Sequence, residues 1–170
     1  MFINQTNIVE FDIFERRYND ILFKEYPYLR EYRIICCTQD QYKKLEGAPF
    51  LDCSEIDSFC FSFNDETKDC VGSPFVAIIV CEEICYKLGF TQEEMFAAIA
   101  HEVGHITNAN TFLKNAHVSW QEIFADKIAT DLGLSEPLIS LIEKLKNSHL
   151  YTEEQISLFN MRIKKIEINS

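Results

Sequence analysis

Residues 97–108 read AAIAHEVGHITN. Two histidines, His101 and His105, stand four apart, with Glu102 directly after the first. On an α-helix positions i and i+4 lie about 40° apart, so the two imidazoles project from one face and can share a metal ion. Glu102 sits about 100° round the helix from His101. There it flanks a metal without binding it and can act as general base on a water.

A zinc hydrolase needs three protein ligands and one open position. The segment WQEIFADKIATDLG supplies Glu122 as the expected third ligand, with Asp126 at i+4 on the same helical face. Asp126 is expected to accept the free ring N–H of His101, which fixes the tautomer and raises the basicity of the ring. Each residue also has an ordinary explanation. His101 and His105 could be exposed helix residues, Glu122 a capping-box partner of Ser119, and Asp126 a solvated partner of Lys127 or Thr130. The composite of HExxH and ExxxD is rarer than either half and favours one Zn2+ per chain, held by His101, His105 and Glu122. Gly104 with Ala97, Ala98 and Ala100 on one helix, and Ala125 and Ala129 on the other, are small enough to let the two helices approach closely.

The elements that must position these groups are legible in outline. Residues 7–30 carry Ile8, Phe11, Phe14, Tyr18, Ile21, Leu22 and Tyr26 near helical spacing, and Pro27 should end that helix. Residues 32–38, 58–63 and 74–81 read as strands, separated by the turn-rich GAPF and NDETKDCVGSP. CEEICYKLGF reads as a short helix with Gly89 near its C-cap. Thr91 to Glu94 is a capping box that starts the HEVGH helix, and Thr152 to Gln155 is a second one, starting a last helix to about Ile166. Further helices are expected from Ser119 to near Gly133 and from Ser135 to about Asn147. A few strands followed mostly by helices is an α+β pattern.

With 170 residues, 47% of them apolar and 25% charged, the chain reads as one ordinary globular domain. A net charge of −11 argues against nucleic acid or an anionic membrane as partner. The N-terminus has no basic segment before an apolar run, and PFVAIIVC is too short to span a bilayer, so a cytoplasmic location is expected. The seven cysteines are odd in number and form no CxxC pair, which favours reduced core thiols over a disulfide framework.

These motifs resemble the gluzincin metallopeptidases, in particular soluble relatives of HtpX and the CAAX prenyl proteases. The match reads FVAIIVCEEICYKLGFTQEEMFAAIAHEVGHI followed by EIFADKIATDLG, within a stretch of similarity over about residues 58–156. The family also carries a segment of the form Thr-His-Pro-x-Thr-Glu-Glu-Arg-Ile. Here it reads SHLYTEEQI, so His149 falls on the family histidine, while Leu150 replaces the proline and Gln155 the arginine.

The resemblance implies a zincin-like fold, a small N-terminal sheet followed by a mainly helical zinc-binding half; residues 1–50 lie outside it and are expected to be an N-terminal extension or covering helix. It implies hydrolysis of a peptide or protein substrate by a zinc-activated water, with Glu102 as base. His149, then Tyr151, then His117 are the candidates to hold the developing oxyanion. By position, residues 74–80 are the candidate sheet edge for pairing with an extended peptide, unless that unbroken run is an inner strand. The alternative is a non-catalytic or latent module of the same fold that binds a peptide or protein partner.

Overall fold

A computed structural model of the chain describes residues 2–45, 59–63, 75–109, 117–148 and 150–169, of which 59–63 and 108–109 are described by their backbone alone. The chain is mixed α and β and mostly helical. It divides into two compact units, Met1–Ile84 and Cys85–Ser170.

The first unit is built on a four-stranded sheet. Its strands are β1 (Phe2–Asn4), β2 (Arg33–Thr38), β3 (Phe59–Phe63) and β4 (Phe75–Val80), in the order β1-β2-β4-β3. β1, β2 and β4 run parallel and β3 runs antiparallel to β4. Parallel neighbours need a crossover, and α1 (Glu10–Glu25) with a 3-10 turn (Pro27–Glu31) supplies the one between β1 and β2. α1 buries Phe11, Phe14, Tyr18 and Leu22 and stops just before Pro27, which opens the 3-10 turn. Phe14 meets Phe2 edge to face at 5.9 Å, so α1 lies on the Phe2 face of the sheet. On the opposite face, Ile35, Cys37, Phe75, Ala77 and Ile79 close over Tyr42 of α2 (Gln39–Tyr42).

β4 corrects one expectation. It is no edge: β2 flanks it on one side and β3 on the other, and all six of its residues are buried. A strand covered on both faces has no reason to alternate, which is why FVAIIV is apolar throughout. Among the described residues the sheet edges are β1 and β3.

α3 (Glu82–Leu88) ends at Gly89, whose φ of 61° is the left-handed conformation a helix C-terminus favours. The rest of the second unit is helical: α4 (Gln92–Ala109), α5 (Val118–Asp131), α6 (Ser135–Lys146) and α7 (Glu153–Asn169). Both capping boxes form. The Thr91 amide donates to the Glu94 carboxylate at 2.6 Å and the Glu94 amide to the Thr91 hydroxyl at 3.3 Å. Thr152 and Gln155 repeat the exchange at the start of α7. Glu94 is also gripped by Lys144 and Ser140 of α6, which ties the start of α4 to its neighbour.

No helix among the described residues is long and apolar enough to cross a membrane. Cys36, Cys37 and Cys85 are buried free thiols and Cys81 a half-buried one. Cys53, Cys70 and the side chain of Cys60 lie outside the described residues.

Candidate metal centre

α4 is the helix from which the centre is built. It is apolar on nearly every face, burying Phe96, Ala97, Ile99, Ala100, Val103 and Ile106, so a polar group on it is withheld from water unless partnered. His101 is 8% exposed and the His105 side chain 11%. These are not exposed helix histidines. Their rings stand edge to face, with the two Nε2 atoms 3.1 Å apart.

α5 brings Glu122 to both rings. One carboxylate oxygen lies 3.4 Å from His101 Nε2 and the other 3.2 Å from His105 Nε2. Glu122 is not occupied in capping α5, because the His117 ring accepts the Ser119 amide there. The close approach of the helices is set by Gly104. A Cβ at that position would fall inside the backbone of Ala125, on its Cα and carbonyl.

Asp126, one turn after Glu122, is 3% exposed and lies 2.8 Å from His101 Nδ1. It is not a solvated partner of its helix neighbours. Lys127 pairs with Asp131 instead, and the Thr130 hydroxyl donates to the Asp126 backbone carbonyl. Burial alone would raise the Asp126 carboxyl, but the Arg162 charge and the His101 hydrogen bond hold it below its ordinary range. It therefore stays an acceptor for a proton on His101 Nδ1, which directs Nε2 toward Glu122 and His105.

A fifth contributor, Arg162, comes from α7 and is not among the residues the motifs single out. It donates to Asp126 through Nε at 2.9 Å and Nη2 at 2.7 Å, and its Nη1 forms an ion pair with Glu122 Oε2 at 3.0 Å. Its sequence signal is a charge within an apolar stripe, since Phe159, Arg162 and Ile166 are the buried residues of α7. Periodicity shows such a charge but not its partner.

Glu102 is 5% exposed. Burial pushes its carboxyl up, against the opposing pull of His101 and His105. Glu122 goes the other way. Burial would raise it, but hydrogen bonds from both histidines hold it well below the usual carboxylate range.

The donor set fits a divalent metal on two counts. Four ligands 2.0–2.2 Å from a tetrahedral ion are separated by about 3.3–3.6 Å; the two Nε2 atoms lie 3.1 Å apart, each is 3.2–3.4 Å from one or other Glu122 oxygen, and one ligand atom from each residue falls within 4.8 Å of the other two. Among the described residues these three form the group that could hold an ion. Charge agrees as well. Glu102, Glu122 and Asp126 face one guanidinium, and with neutral imidazoles the interior lacks two positive charges, which a divalent ion supplies.

Without metal, protons must make up that deficit. Burial and Arg162 both push the His101 pKa down, but the hydrogen bonds to Asp126 and Glu122 outweigh them and raise it to about 9. Metal at Nε2 must displace this proton. Zinc affinity should therefore rise by roughly tenfold per pH unit from neutrality to about pH 9 and flatten above it. Competition against a chromophoric chelator at several pH values measures this. Equal affinity at pH 7 and pH 9 would contradict the assignment.

The oxyanion candidates stand differently. His149 lies outside the described residues. His117 is spent on capping α5. Tyr151 packs edge to face on Phe159 at 4.9 Å, and Phe159 in turn lies under Arg162. Comparison of the chain with protein-family models, curated proteins and solved structures finds no match to any of them.

Proposed function

We propose that this chain is a zinc-dependent peptidase of zincin-like architecture, acting on peptide or protein substrates. The observation that carries the reading is the convergence of His101, His105 and Glu122 beside a buried Glu102. Zinc held by the three ligands supplies Lewis acidity, which polarises a substrate carbonyl and acidifies water.

The chain's own groups do the rest. The Glu102 carboxylate accepts a proton from the attacking water and returns it to the nitrogen of the leaving amine. Its raised pKa suits the task, because a base is most effective when its pKa lies near the working pH. Asp126 holds the His101 ring with Nδ1 protonated, so Nε2 remains a donor to the metal. Arg162 neutralises part of the negative charge that three carboxylates bring into the interior. A cytoplasmic setting accords with the four free thiols among the described residues.

Digestion of casein tests this reading. Hydrolysis should stop on chelation and return with one equivalent of zinc. A chain that holds zinc yet cleaves neither casein nor a peptide library is instead the binding module of the alternative reading.

A further inference from the structure

Arg162 does more than balance Asp126. It is 6% exposed on α7, with its guanidinium carbon 6.0 Å from the centre of the Phe159 ring. The fork of Nε and Nη2 is fixed on the two Asp126 oxygens, and a guanidinium is planar, so the direction of Nη1 is fixed with it. Nη1 lies 3.0 Å from Glu122 Oε2, an oxygen that is also 3.4 Å from His101 Nε2. The other oxygen, Oε1, faces His105 Nε2 at 3.2 Å.

A carboxylate can give a metal one oxygen or two. Two from Glu122 would fill the position a hydrolytic site keeps open for water. An oxygen engaged by a buried cation is a poor second donor, because moving it to a metal gives up a close ion pair with a buried guanidinium. We propose that Arg162 is a positioning residue that restricts Glu122 to one ligand oxygen and so keeps one coordination position of the metal free. This rests on the metal-centre reading above. A tie that served only to join α7 to α5 would be complete with Asp126 alone, and the Nη1 contact would then be immaterial to the metal.

Cobalt(II) in place of zinc reads this out without reference to activity. Four-coordinate cobalt absorbs visible light strongly, and five- or six-coordinate cobalt weakly. Wild type should take up one cobalt per chain with intense four-coordinate bands. Arg162→Lys keeps the charge but loses the fork. It should retain cobalt, with bands weakened by at least about twofold as Glu122 adds its second oxygen. Unchanged bands in a folded Arg162→Lys chain would overturn the proposal while leaving the metal centre standing. Should that variant fail to fold, the wild-type spectrum decides alone, since weak five- or six-coordinate bands there also overturn it. If wild type takes up no cobalt, the metal centre itself is wrong and the proposal falls with it.

Discussion

Glu102→Gln should leave zinc bound at near wild-type occupancy while peptide hydrolysis falls by roughly 10²–10⁴-fold, the usual loss on removing a general acid–base. The separation follows from where the residue stands. Glu102 shares a helix with His101 and His105 but points about 100° away from His101, and it is not among the three groups that converge. Gln keeps the shape and removes the basicity, so the packing around α4 is unchanged. Because burial raises the Glu102 carboxyl, replacing it with a neutral amide relieves a buried charge and should not destabilise the fold. Zinc content by elemental analysis and cleavage of a fluorogenic peptide library measure the two quantities. Near wild-type cleavage by the variant would remove the mechanism. Loss of zinc would mean that Glu102 serves the metal rather than the proton.

Gly104→Ala should destabilise the chain and weaken zinc binding together, although alanine is the better helix former. Two effects compete. The helix interior gains about 1 kcal/mol from the exchange. Against it, the new Cβ strikes the Cα and carbonyl of Ala125. Backbone cannot turn aside as a side chain can, so α5 must move. Overpacking of this kind costs about 1–3 kcal/mol even where side chains can adjust, and this site sits at or beyond the upper end. Moving α5 also withdraws Glu122 and Asp126 from the histidines, so zinc affinity should fall by at least about tenfold, equivalent to about 1.4 kcal/mol. Chemical denaturation of the metal-free chain and chelator competition measure the two losses. A variant at least as stable as wild type, with unchanged zinc affinity, would show that the helix crossing does not position the site.

What was legible in the sequence and what was not divides along physical lines. The capping boxes at Thr91 and Thr152 were readable because a cap is a local exchange of hydrogen bonds within four residues. The pairing of His101 with His105 was readable because helical geometry alone brings i and i+4 together. Glu122 and Asp126 needed a second helix, yet their i+4 spacing and the small residues nearby already implied one shared face and a close crossing. β1 escaped notice because three residues, FIN, are too few to show alternation, and their pairing with β2 spans the whole of α1. The place of β4 in the sheet was open for a related reason, since an unbroken apolar run records burial of both faces and says nothing about neighbours. Arg162 was missed because its partners lie 36 and 40 residues back along the chain. A charge in an apolar stripe announces a buried pair without naming its other half.

The most direct test of the account is the zinc content of the purified chain at buffered free zinc, for wild type beside His101→Ala and Glu122→Ala. Wild type should hold one zinc per chain. Each variant removes one of three donors and leaves the other two in place, so each should lose most of its zinc at the same free concentration. No zinc in wild type, or full occupancy in both variants, would contradict the metal centre and the peptidase built on it.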